Sequence, residues 1–279
     1  VTRVTSHAQR WRERLSFLRP LPAAPEPSAA AAPSSERQNP GWCPCCRSET
    51  VFVETGEFLR EYYFCSRCRS IPRFRAVNLT LDRWFPGWEQ SAIHESSPSN
   101  DLIRRYAPGY SCSYFFEDVP LGTTHNGVRS ENLERLTFAD NTFDLFVTQD
   151  VLEHVFRPDA AMREIMRVIK PGGAHVFTTP KHKGLRATRQ RAALENGQVV
   201  HLLDAEYHGN PIGDGRALVT WDYGDDFEMY LWAWCGYPTV TYVVRDRSYG
   251  IDGEYLEVFV TRKVATPDAV PPRQSPPGT

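Results

Sequence analysis

Between residues 91 and 265, short apolar runs alternate with stretches whose apolar side chains recur at helical spacing. "SAIHES" (91–96) reads as a strand, and "PSNDLIRRYA" (98–107) as the helix that follows it. "YSCSYFF" (110–116) is a second strand, ending at Glu117 and Asp118. "GVRSENLERL" then leads through the turn "ADNT" into "FDLFVTQDV" (143–151), apolar enough for a buried strand. "PDAAMREIMRVIK" (158–170) has the spacing of an amphipathic helix and is closed by Pro171-Gly172-Gly173, after which "AHVFTTP" reads as a strand. "TVTYVVRD" and "EYLEVFVTRK" flank a glycine-containing turn, which suits an antiparallel hairpin. Alternation of this kind predicts a mostly parallel sheet with helices on both faces and an antiparallel edge. Ligands of such sheets sit beyond the carboxyl ends of the strands, where strand order reverses.

Upstream the pattern changes. "SIPRFRAVNLTLDRWF" (70–85) predicts a helix, with Pro72 suited to its first turn and Phe74, Val77, Leu81 and Trp84 on one face. Residues 1–19 suggest a short Arg-rich helix around Trp11, Leu15 and Leu18. The Pro/Ala/Ser stretch after it holds too few large apolar side chains to pack, and reads as a linker. The expected organisation is a flexible arm (1–40), a small module with a linking helix (41–87), an α/β domain (88–265) with a lid insertion at about 181–237, and a disordered tail (266–279).

Composition adds bounds. A chain of 279 residues with 41% hydrophobic and 24% charged residues is an ordinary globular protein, long enough for one α/β domain and an appendage. No apolar run approaches the ~20 residues a membrane span needs, and no signal-peptide pattern opens the chain, so a cytoplasmic protein is expected. A net charge of −2 does not favour nucleic acid as the main partner. Six Arg against three Glu in the first forty residues place the basic character at that end.

Five of the seven cysteines fall between Cys43 and Cys68. The pairs Cys43/Cys46 and Cys65/Cys68 each enclose two residues and stand eighteen residues apart, the spacing of a four-thiolate zinc site. Two disulfides are the alternative. Cys45 is left as a bystander, and "VFVETGEFLREYYF" between the pairs reads as a β-hairpin turning at Thr55-Gly56. Four thiolates leave no open coordination position, so the expected Zn2+ is structural.

The stretch 136–180, "LTFADNTFDLFVTQDVLEHVFRPDAAMREIMRVIKPGGAHVFTTP", resembles the central block of class I S-adenosylmethionine-dependent methyltransferases of the Methyltransf_11 type. The resemblance is close over these 45 residues and looser over 88–265. It implies a Rossmann-like seven-stranded methyltransferase sheet, here preceded by a zinc-ribbon or knuckle module, with S-adenosylmethionine as cofactor. By position it assigns Glu117, then Asp118, to the ribose hydroxyls and Glu131, Asn132 and Leu133 to adenine. Gln149 and Asp150 would flank the sulfonium. In this family the first strand usually ends in a glycine-rich loop. Here "AIHESSPSN" has no glycine, and Glu95, Ser96 and Ser97 are expected to serve in its place through a Ser-Ser-Pro turn that opens a helix.

Methyl transfer to a hydroxyl or amine needs alignment and a proton acceptor, and histidine suits the second task. His154 in "DVLEHV" is expected one helical turn from Asp150. The long connection 201–227 carries His208, the favoured base, ahead of His154 and then His201. Tyr207, Asn210, Trp221 and Tyr223 are expected to wall a small-molecule acceptor. "MYLWAWCGY" (229–237) reads as a core helix. A zinc module beside this fold resembles both deoxysugar C-methyltransferases and zinc-containing ribosomal RNA methyltransferases. Arg67, Arg69, Arg73 and Arg75 suit phosphate contacts, an internal ion-pair network, or a docking face between module and domain. A small-molecule methyltransferase leads, with an RNA methyltransferase and a non-methylating binding protein as alternatives.

Overall fold

The computed structural model describes residues 37–210 and 215–264. The expected Arg-rich helix, almost all of the arm and the tail lie outside the described residues.

The chain enters through three antiparallel strands, β1 (Gln38–Cys43), β2 (Ser48–Glu54) and β3 (Tyr63–Cys65), with a single helical turn α1 (Leu59–Tyr62) between the last two. The strand pairing expected of 51–64 is present. However, the segment between the paired strands is a loop and helical turn rather than a tight Thr-Gly turn. β1 begins at Gln38, inside the segment read as arm. Phe52 and Tyr63 are fully buried with Cys43, Cys45 and Cys65 in a small core of their own.

Helix α2 (Pro72–Trp84) follows as its pattern predicts, with proline at its N-terminus and Ala76, Val77, Leu79 and Leu81 buried. It packs on the large sheet with Ile93, Leu145, Val147, Val258 and Val260, so its apolar face completes the core of the main domain. Its Arg75, also fully buried, ties the module to the domain. The guanidinium donates to the carbonyls of Gly250 (2.9 Å from Nε) and Tyr63 (2.7 Å) and lies over the Phe52 ring. Gly250 adopts a left-handed conformation (φ 64°), and a Cβ there would lie 2.4 Å from Phe52. A glycine is what lets the two bodies approach this closely.

The main sheet continues with β4 (Ile93–Ser96), β5 (Tyr110–Tyr114), β6 (Thr124–His125), β7 (Val128–Ser130) and β8 (Phe143–Gln149). Helix α3 (Pro158–Val168) and strand β9 (Ile169–Thr178) follow. Three two-stranded ribbons come next: β10 (Arg189–Gln190) with β15 (Trp221–Asp222), β11 (Ala192–Glu195) with β12 (Gln198–His201), and β13 (Tyr207–Gly209) with β14 (Arg216–Leu218). Helix α4 (Phe227–Cys235), β16 (Thr239–Tyr242) and β17 (Val258–Arg262) end the described fold.

The sheet order is β16-β17-β9-β8-β4-β5-β7-β6, eight strands rather than the seven expected. The additional strand is the two-residue β6 at the edge. The pairs β8/β9, β4/β8, β4/β5 and β5/β7 are parallel, whereas β17 and β16 close the other edge antiparallel. Central strands bury alternate residues on opposite faces. Leu145, Val147, Val176 and Val260 meet α2, while Phe146, Phe177 and Phe259 meet α3 and α4.

Three expectations give way to tertiary packing. Residues 98–107 form turns, not a helix. Adjacent Leu102 and Ile103 are drawn into different cores, one with the module's cysteines and one with the sheet, and Asn100 Oδ1 accepts the Leu102 amide. β16 and β17 do pair, but a fifteen-residue excursion separates them rather than a short turn. Helix α4 buries Phe227 and Leu231 yet leaves Met229 and Trp232 largely exposed, so it is a surface helix.

Candidate active site

The first half of the sheet runs outward from β4 and the second outward from β8. The strand order therefore reverses between these two parallel neighbours. Beyond their carboxyl ends lies a cavity of about 850 Å³. Ser96 and Ser97 follow β4, Phe115 and Glu117 follow β5, Glu131 to Glu134 follow β7, and Gln149 and Asp150 end β8. All of these line it. The thiol-bearing module supplies another wall with Phe58, Arg60, Glu61 and Arg73. The β13/β14 ribbon closes the remaining side with His208, Gly209, Asn210 and Leu218.

Asp150 lies at the junction. Its backbone is left-handed (φ 54°), its amide donates to Thr178 O, and Oδ1 accepts the Thr178 hydroxyl at 2.8 Å. Oδ2 receives Arg60 Nη2 at 2.5 Å and Arg73 Nη1 at 2.7 Å. Burial works against its charge, but the Arg73 and Arg60 guanidinium groups outweigh it and hold Asp150 well below the usual carboxylate range. Arg73 and the wholly buried Arg75 are thus engaged inside the protein, as the docking-face and ion-pair readings anticipated.

Gln149 donates Nε2 to Glu95 at 2.7 Å and keeps Oε1 buried without a partner. Glu95 does not reach the cavity. Tyr110 and Gln149 take its oxygens, and burial pushes its carboxyl up to about 7. The Ser-Ser-Pro turn opens no helix. The Ser97 amide donates to Ser113 O, and Ser97 itself takes the left-handed conformation (φ 53°) that a glycine would supply. The Ser97 amide is therefore taken, and the arginine side chains lining the cavity are Arg60 and Arg73.

Glu117 is exposed at the rim, while Asp118 stays outside the lining. Glu131 is buried and already bound by Arg129 at 2.6 Å and by the Thr137 amide at 2.9 Å. Asn132 Oδ1 accepts the Glu134 amide, so its side chain also shapes the loop. Phe115, absent from the expected set, presents an exposed ring to the same rim. Of the expected acceptor wall, only Asn210 lines the cavity. Tyr207 lies against Arg216 on the outer side, and Trp221 packs on Trp234. Tyr223 is fully buried, with its hydroxyl on Leu152 O at 2.8 Å. His201 is exposed on β12, away from the cavity.

His208 and His154 do come together, with ring centroids 5.2 Å apart. His154 ends a short 3-10 turn (Leu152–His154) rather than an α-helix carrying Asp150. The segment after β14 is fastened to this turn. Thr220 donates its amide to Glu153 O (2.7 Å) and its hydroxyl to Val155 O (2.8 Å), and His154 Nδ1 meets Leu218 O at 2.8 Å. The residue that sequence reasoning passed over is Glu153, 2% exposed. Its Oε2 accepts the Thr179 hydroxyl, whereas Oε1 is buried without a hydrogen bond. That oxygen lies 3.8 Å from His154 Nε2 and 3.9 Å from His208 Nδ1. Burial, with the Asp150 charge adding to it, pushes Glu153 up to about 7, and burial lowers His154. No sequence signal marked Glu153, because the histidine facing it comes from a distant ribbon.

In the module, the thiols of Cys43, Cys46, Cys65 and Cys68 lie within 4.8 Å of one another, with Cys43–Cys68 at 3.7 Å and Cys46–Cys65 at 3.9 Å. Four sulfurs at 2.3 Å around a tetrahedral ion would lie about 3.8 Å apart. A disulfide would need about 2.05 Å. The donor set therefore fits a tetrahedral zinc ion and not the paired disulfides. Cys45, buried beside them, is outside the group.

Comparison with known proteins adds a family. Residues 116–177 match the family described as "Methyltransferase domain". The ubiquinone/menaquinone biosynthesis C-methyltransferase UbiE of Shewanella frigidimarina is 45% identical over 58 residues, 20% of this chain and 23% of that one. The chain thus matches about a quarter of that relative's length. Among solved structures, an S-adenosylmethionine-dependent methyltransferase from Mesorhizobium loti is 14% identical, with a TM-score of 0.42, over 67% of this chain and 97% of that one. The 1,6-didemethyltoxoflavin-N1-methyltransferase of Burkholderia thailandensis is 12% identical, with a TM-score of 0.44, over 70% and 79%. No described helix is long and apolar enough to cross a membrane.

Proposed function

We propose that the protein is an S-adenosylmethionine-dependent methyltransferase acting on a small molecule. One observation carries the reading. The stretch matching the methyltransferase domain ends its central strand at Gln149, which lines the cavity at the strand-order reversal and keeps a buried oxygen without a partner. An orphaned acceptor there fits an ammonium group, and the cofactor's methionine moiety carries one. Its carboxylate finds Arg60 and Arg73, whose side chain has a buried Nε without a hydrogen-bond partner. Glu117 is the free carboxylate at the rim for ribose hydroxyls, and the Phe115 ring and Leu133 offer apolar surface to a base. When bound, the cofactor supplies an electrophilic methyl group on a sulfonium.

This chain's own residues would do the rest. The β13/β14 ribbon forms one side of the cavity, beside the place an acceptor would occupy. His208, with Glu153 and His154 behind it, forms the polar corner at which the acceptor would lose its proton. A cavity of about 850 Å³ suits a small acceptor better than a polynucleotide, and of the four arginines proposed for phosphate contacts Arg75 is wholly buried and bound to backbone carbonyls. The four-thiol site, as a structural zinc centre, would fix the wall that carries Arg60 and Arg73.

Calorimetric titration with S-adenosylmethionine and S-adenosylhomocysteine tests the proposal. Micromolar binding of both is expected. Absence of heat and of thermal stabilisation by either would remove it and leave a binding protein that reuses the fold.

A further inference from the structure

The polar corner of the cavity has the make-up of a metal centre as well as of a proton-accepting pair. Glu153, His154 and His208 bring one carboxylate oxygen and two imidazole nitrogens within 4.8 Å of one another. A divalent first-row ion bound at about 2.0–2.2 Å to such ligands holds neighbouring donor atoms roughly 2.8–3.6 Å apart. The observed 3.8 Å (Glu153 Oε1 to His154 Nε2) and 3.9 Å (Glu153 Oε1 to His208 Nδ1) are a few tenths of an ångström wider, a difference that small side-chain rotations close around an ion.

Three further features separate this group from a chance cluster. First, the oxygen at its centre is desolvated and unused. Glu153 is 2% exposed, Oε1 has no hydrogen-bond partner, and its other oxygen is fixed by Thr179. Leaving such an oxygen bare is costly, and a cation removes that cost. Second, the His154 imidazole is oriented from behind. His154 Nδ1 faces the Leu218 carbonyl at 2.8 Å, so that nitrogen carries the proton and Nε2 presents its lone pair to Glu153. His208 turns Nε2 towards Glu206 Oε1 at 3.7 Å and leaves Nδ1 facing inward. A carbonyl behind the ring, as at His154, is one way metal-binding histidines are held. Third, the group is open on one side. His154 and His208 line the cavity, so a cation held by three protein ligands keeps positions free towards it.

We infer that Glu153, His154 and His208 form a second metal site, distinct from the four thiols, that takes a divalent transition cation. Two imidazoles and one carboxylate suit ions such as zinc, iron, cobalt or nickel rather than calcium or magnesium. Its open positions would receive oxygen donors of the acceptor, so the ligand class is a small molecule with a hydroxyl or carboxylate group. That role rests on the methyl-transfer reading; the binding of the cation does not.

Cobalt(II) titration of the full chain tests the inference, because thiolate and nitrogen/oxygen sites absorb differently. The wild type is expected to take up two ions. One would give intense sulfur charge-transfer bands and the other only weak visible bands. His208→Ala, at a half-exposed position where folding is safe, should abolish the weak bands and leave the thiolate bands intact, and Glu153→Gln should do the same. Uptake of only the thiolate-bound ion by the wild type, or weak bands unchanged in His208→Ala, would overturn the inference. A parallel titration with S-adenosylmethionine separates the two proposals. Cobalt uptake without cofactor affinity keeps the metal site and removes the methyltransferase, and cofactor affinity without the second ion does the reverse.

Discussion

Two groups of convergent donors are built on opposite scales. Cys43, Cys46, Cys65 and Cys68 belong to two short turns of one small sheet, so local chain geometry brings their sulfurs together. Glu153 and His154 leave the carboxyl end of the central strand, while His208 arrives on a ribbon more than fifty residues later. That second group is held together by the bonds of Leu218 and Thr220 to residues 153–155. A site held by its own turns can be recognised in one dimension. A site held by the packing of distant segments cannot.

The contrast can be broken from the thiol side first. Cys65→Ala should release the structural metal and unfold β1–β3, since Cys65 is part of the module's small core. Because Arg60 and Arg73 stand against Asp150, cofactor affinity should fall with it. Metal analysis and thermal denaturation check this, and unchanged metal content would contradict a structural centre.

Asp150 is the link between the two scales. Asp150→Asn strands two mostly buried guanidinium groups and should cost about 3 kcal/mol, the usual penalty for removing one partner of a buried pair. The sign of its pH dependence follows from a folded-state pKa below the ordinary 3.8. The stabilisation is complete above that pH and fades as acid takes the protein below it. Denaturant unfolding at pH 7 and below pH 3.8 should show the gap between wild type and variant closing in acid. A gap independent of pH would mean that the charge is not what holds the module.

On the lid side, His208→Ala should lower turnover by about 100-fold, whether the ring takes the acceptor's proton or holds a cation, while cofactor binding survives. Full activity would remove the lid from the chemistry. The smallest effect is expected at Gln149. Gln149→Leu loses the unpaired oxygen and should weaken cofactor binding about 10-fold, the worth of one hydrogen bond to a charged group. Calorimetry on the variant reads this directly.

Much of the frame was legible because it repeats locally. The proline-led helix at Pro72–Trp84, the buried strand Phe143–Gln149 and the amphipathic helix Pro158–Val168 appear where their spacing puts them. The thiol spacing likewise anticipates the cluster of four sulfurs. The candidate site was legible only in part. Ser96, Glu117, Gln149 and His208 line the cavity, yet Glu95, Trp221 and Tyr223 were expected there and face elsewhere. A polar or aromatic residue at a strand end is compatible with either side of the sheet, and its own sequence does not say which.

By itself, then, the sequence determined the periodicities, the alternation of strand and helix, and the local turns that gather the cysteines. These follow from backbone geometry and from burial of apolar faces, which act over a few residues at a time. Only the tertiary structure decided that Arg60 and Arg73 form a wall of the cavity, that residues 98–107 abandon the helix, and that Glu153 meets His154 and His208. Those outcomes depend on which distant surfaces exclude water together, and a buried charge or an unpaired oxygen acquires its meaning only once its neighbours are in place.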